Sequence, residues 1–77
     1  MKAPLVEVTW DDACSNHDWY TDAELPQATT IRMTTVGYMI RRDRTSIALA
    51  QSHGAHEKWS EIWVIPAGWV KRVRRLK

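Results

Sequence analysis

At 77 residues the chain makes one domain, residues 1–77, near the lower size limit for folding unaided. Its single cysteine, Cys14, excludes an intrachain disulfide. The net charge of +2 hides an uneven spread: residues 1–35 set Lys2 and Arg32 against six carboxylates, a balance of −4, whereas residues 36–77 set nine cations against Asp43, Glu57 and Glu61, a balance of +6.

In chain order, Val6, Val8 and Trp10 alternate with polar residues, the pattern of a half-buried strand over residues 5–10. Residues 11–27 show no sustained period and predict a long ordered loop, with Trp19 or Tyr20 folded back onto the body of the protein. Within it, Thr21-Asp22-Ala23-Glu24 fits a capping box and predicts one helical turn before Pro26. Residues 29–42 are rich in β-branched side chains and too long for a straight strand, so a bend at Gly37 is expected. Val36, Tyr38 and Ile40 then share one face, Met39 and Arg41 the other. Arg42-Asp43-Arg44-Thr45 is a tight polar turn. Beyond it Ile47 and Leu49 point one way, Ala48 and Ala50 the other, and the small pair suits close approach of another strand or subunit.

Residues 51–60 predict a mobile hairpin loop. Residues 61–65 are apolar on both faces, which predicts burial on both sides. Pro66-Ala67-Gly68 ends that strand. Val70, Val73 and Leu76, three apart, predict a short 3₁₀ turn running into a last strand, with a C-terminal helix as the rival. Among the five tryptophans, Trp10 is assigned to the core, Trp59 to an exposed position, Trp63 to a contact under the long loop or with a neighbouring subunit, and Trp69 to stapling the 3₁₀ turn.

The succession strand, long loop, bent strand, tight turn, strand, loop, strand, 3₁₀ turn, strand resembles SH3-like and Sm-like barrels. In residues 37–49 a glycine starts the bent strand, Asp43 follows six residues later at the turn, and aliphatics return; residues 62–73 resemble the second half of an Sm-like motif. The resemblance implies an all-β, small five-stranded barrel. It also implies RNA as a partner, although the turn Asp43-Arg44-Thr45-Ser46 lacks the asparagine, and residues 65–69 the Arg-Gly or Lys-His pair, with which that family binds RNA. The pattern at residues 6–13, Val36-Gly37-Tyr38 and Ile65-Pro66 is also similar to small phage and prophage proteins.

The strongest electrostatic feature is Lys71-Arg72-Val73-Arg74-Arg75-Leu76-Lys77, which Arg41, Arg42 and Arg44 extend if the tail pairs near their turn. Three roles fit it: a charged edge strand that resists aggregation, a contact for RNA or single-stranded DNA with exposed aromatics stacking on bases, and a face for an acidic protein partner. Asp11, Asp12, Cys14 and His17 are too few for a closed metal site unless His53 and His56 contribute, and they are better assigned to a turn and a small buried thiol. His53, His56 and Glu57 have the chemistry of acid–base groups but belong to a hairpin tip, and no nucleophile, base and orienting group come together. No cofactor or metal is expected.

No uncharged apolar stretch exceeds nine residues, against roughly 20 for a spanning helix. Glu7, Asp11 and Asp12 close behind the start disfavour a signal peptide. A cytoplasmic chain that engages no membrane is expected. The sequence thus points to a non-enzymatic interaction or assembly module that forms a homo-oligomer, with Trp59 and Trp63 at the interface, and alternatively to a nucleic-acid-binding protein.

Overall fold

The computed structural model describes residues 3–13, 18–25 and 30–76. It is all-β. Five antiparallel strands, β1 (Leu5–Asp12), β2 (Ile31–Arg42), β3 (Ser46–Gly54), β4 (Lys58–Pro66) and β5 (Val70–Arg75), form one sheet in the order β4-β3-β2-β1-β5. Among the described residues three 3₁₀ turns punctuate it, Asp22–Glu24, Ala55–Glu57 and Ala67–Trp69. Val70–Arg75 form a strand and not a helix, because Pro66 and Gly68 stop β4 and β5 finds hydrogen-bonding partners along β1.

The sheet rolls into an open barrel around one core. Val6, Val8 and Trp10 from β1, Ile47 and Leu49 from β3 and Ile65 from β4 are buried together, with Met33, Met39, Val70 and Val73 packed against them. Trp63 on β4 lies 6.5 Å from Trp10 on β1, although β3 and β2 separate those strands within the sheet. Trp69 stacks on Trp10 at 6.3 Å and 13°, so the final 3₁₀ turn is stapled to the core. The one polar atom of Trp10 is satisfied: its Nε1 donates to Thr35 Oγ1 at 3.0 Å.

The structure departs from the sequence pattern in several places. The distortion of β2 falls at Ile40, where the pairing with β3 shifts between Met39 and Arg41; Gly37 is instead a point of close approach, where an added Cβ would lie 2.9 Å from the Ala50 carbonyl oxygen. Because of that bulge Met39 and Arg41 do not share a face. Met39 pairs with Leu49 over the core, Arg41 with outward-facing Ala48, and Arg42 with Ile47 on the inner side. Residues 51–60 are not a loop: β3 and β4 stay paired through Ser52–Ser60, His53–Trp59 and Gly54–Lys58 to a three-residue turn. A solvated two-stranded ribbon needs no apolar alternation, so its strands leave no periodic signal. His53 stacks on Trp59 at 4.2 Å and Ser52 Oγ donates to Glu61 Oε1 at 2.6 Å, which hold it together.

The aromatic expectations also divide. Trp10 is buried, as its alternation predicts. Trp59 is half-buried against His53 and Tyr38, whereas Trp19, expected to fold back, is 98% exposed, and Tyr20 is exposed too. Within the single chain β4 buries only Ile65; Ile62, Trp63 and Val64 stand open, against the expected burial on both faces.

The β2–β3 turn is built as the sequence predicts. Asp43 Oδ1 accepts hydrogen bonds from Thr45 Oγ1 (2.7 Å), Thr45 N (2.8 Å) and Ser46 N (2.9 Å). These bonds, the Thr45 hydroxyl foremost and the charge of Arg41 least, hold the Asp43 carboxyl below its ordinary value of 3.8. A depressed carboxylate stabilises the fold above its unfolded value and ceases to do so as pH falls through the folded one. Thermal melts across acid pH are therefore expected to show a loss of stability below about pH 4 that is smaller in Asp43→Ala, itself less stable at neutral pH. Equal pH dependence in the two proteins would contradict this role for Asp43.

Candidate interaction surfaces

Residues paired across a sheet share a face, so the register defines what the outer surface of β2, β3 and β4 presents. One row runs Tyr38, Ala50, Ile62; the next runs Arg41, Ala48, Val64. The two alanines are buried beneath their neighbours, while Tyr38, Ile62 and Val64 are 36%, 50% and 58% exposed. Exposed Val36 on β2 and the ring of Trp59, 5.5 Å from Tyr38, extend this apolar patch. It reaches β4, an edge strand that pairs only with β3. On the inner side, Trp63 is 48% exposed beside Trp10.

The basic residues predicted to act together are split. Arg74 binds Glu7 through two hydrogen bonds of 3.2 and 3.3 Å, and Lys71 Nζ lies 3.8 Å from Asp11, which also pairs with Arg32. Acidic positions on the outer face of β1 thus neutralise part of the basic strand beside it. Arg41, Arg42, Arg44, Arg72 and Arg75 form no ion pair among the described residues. Lys77 lies outside the described residues, as do Cys14 and His17.

Arg42, Lys71 and Arg72 do come together, around a cleft of about 280 Å³ whose walls are Ile47, Ala67, Val70 and Val73. Two features bring them there. The bulge at Ile40 turns Arg42 to the inner side, and Ala67 N donates to Thr45 O at 2.9 Å, which ties the start of β5 to the β2–β3 turn. Asp43 is the one acidic residue in this lining. A second cleft, of about 380 Å³, is lined by Asp11, Ala13, Thr30, Gly68, Trp69 and Lys71. Neither involves His53 or His56; His53 instead meets Glu57 at 3.4 Å on the surface ribbon.

Sequence reasoning missed Trp19 as an exposed residue, and it marked the outer face only through Ala48 and Ala50, expected to suit close approach of another strand or subunit. The signal for the patch was present in the small pair Ala48 and Ala50 opposite Ile62 and Val64. Nothing in the order of residues distinguished an exposed Trp19 from a folded-back one. Among the described residues no three metal-ligating side chains cluster and no helix is long and apolar enough to cross a membrane. Compared with known proteins, the chain matches no family model, no curated protein and no solved structure.

Proposed function

We propose that this chain is a non-enzymatic assembly module whose outer apolar face is covered by another copy of itself. The observation that carries this reading is surface in excess. A 9.0 kDa monomer typically exposes about 4,850 Å². This chain exposes 6223 Å², an excess of roughly 1,400 Å², against the roughly 800 Å² that each partner contributes to an ordinary stable interface. The Cα radius of gyration, 16.3 Å against about 11.5 Å for a compact chain of this length, supports the same conclusion. The contiguous patch around Tyr38, Ile62 and Val64 is an apolar part of that exposed surface.

Gel filtration with light scattering tests it through the double substitution Ile62→Lys and Val64→Lys. Both side chains are half exposed, so the fold is expected to survive while the mass drops from a multiple of 9.0 kDa towards that of one chain. An unchanged mass in the double variant would reject this face as the interface.

A second reading, binding of RNA or single-stranded DNA, is favoured by the five arginines that have no acidic partner among the described residues. Phosphate contacts make affinity fall steeply with salt. Titration of a labelled oligonucleotide at two salt concentrations, with the intact chain and with Arg72 and Arg75 changed to Ser, tests it, and no binding at low salt rejects it.

A further inference from the structure

The geometry points to the segment around Trp19 as a plug that docks into the basic cleft of a second copy. This inference rests on self-association as the chain's role and adds a second contact between copies beside the outer apolar face. Residues 18–25 carry Asp18, Asp22 and Glu24 and no cation, a balance of −3, and they display Trp19 at 98% exposure with Leu25 at 63%. A tryptophan held fully in water is costly for one chain and is a residue type that dominates interface energetics once it finds a pocket. Local bonds shape the segment: Glu24 N donates to Thr21 O at 3.0 Å, and Thr21 Oγ1 donates to Glu24 Oε1 at 2.6 Å.

The cleft is the matching half. Ile47, Val70 and Val73 give it apolar walls, and Arg42, Lys71 and Arg72 give it a cationic rim. Against these stands Asp43, whose Oδ1 is occupied by three hydrogen bonds inside its own turn, so the rim keeps a balance of +2. Lys71 also faces Asp11 of its own chain at 3.8 Å, which leaves the two arginines as the rim cations without an ion pair among the described residues. An apolar anchor flanked by carboxylates fits an apolar cleft rimmed by arginines, and the opposed charges fix its orientation as well as its approach. The cleft does not receive the plug of its own chain, because Trp19 there is in solvent. Each copy carries one plug and one cleft, so the contact repeats from copy to copy.

Sedimentation velocity over a concentration series provides the test, with Trp19→Ser, with Asp22→Lys plus Glu24→Lys, with Arg42→Glu plus Arg72→Glu, and with both charge reversals combined. All five positions are exposed, so unchanged melting curves are expected. Trp19→Ser and each single reversal should weaken association about tenfold or more, and the combined reversal should restore it. If the intact chain associates but Trp19→Ser associates equally well, the plug is overturned while self-association stands. The plug is overturned in the same way if the combined reversal restores nothing. It also falls if the Arg42→Glu plus Arg72→Glu variant loses oligonucleotide binding and keeps its mass, which would make the cleft a nucleic-acid site. A monomeric intact chain overturns the plug and self-association together.

Discussion

Trp10→Ala is expected to remove a large share of the chain's stability, about 3–5 kcal/mol. Removing a buried aromatic side chain costs about that much, and a domain of this length holds only about 4–12 kcal/mol in all. Trp10 is 4% exposed and joins parts of the fold that the sheet does not join directly. Trp69 stacks on it from the last 3₁₀ turn, and Trp63 leans on it from the far edge strand. Without that ring, β4 and the 3₁₀ turn both lose their aromatic contact with β1. Trp10→Phe keeps a ring at the centre but abandons the bond to half-buried Thr35, and should cost about 1–2 kcal/mol. Urea unfolding followed by circular dichroism measures both. An alanine variant within about 1 kcal/mol of the intact chain would show that the tryptophan cluster does not close the fold.

Gly37→Ala is expected to lower the melting temperature by about 5–15 °C. Its new Cβ would sit 2.9 Å from the Ala50 carbonyl oxygen and 3.2 Å from both Leu49 Cβ and Gln51 Nε2. The first of these is backbone in the centre of the sheet and has nowhere to retreat, so β2 and β3 must part. Forcing atoms into a filled site costs about 1–3 kcal/mol, and the smaller entropy of the unfolded alanine chain returns less than about 1 kcal/mol of it. Gly54→Ala is the control. Nothing lies within 4 Å of its new Cβ and its φ of −113° is open to any residue, so its melting temperature should stay close to that of the intact chain. Equal effects at the two glycines would contradict close approach as the reason for Gly37.

Much of the fold is legible in the residues because local chemistry and global packing agree. The alternation of Val6, Val8 and Trp10 specifies β1 and its inner face, Asp43 specifies a turn through its own side chain, and Pro66 with Gly68 ends β4. Two features are not legible. The ribbon beyond Ala50 is solvated on both faces, so its pairing rests on cross-strand contacts such as His53 with Trp59. The bulge at Ile40 depends on how β2 and β3 fit together, and it alone decides that Arg41 lies over Ala48 while Arg42 lines the cleft. The basic positions can therefore be named from the sequence but not sorted into paired, outer and cleft-lining groups. The apolar character of Ile62, Trp63 and Val64 is plain too, but a run of apolar residues does not say whether its own chain covers it.

Whether a second copy covers that surface is answered most directly by small-angle X-ray scattering from the intact chain over a dilution series. Forward scattering gives the mass and the low-angle slope gives the size. Self-association predicts a mass that is a multiple of 9.0 kDa and a radius of gyration above the 16.3 Å of one chain, both falling on dilution. A mass of 9.0 kDa with a radius near 16.3 Å at every concentration would contradict it.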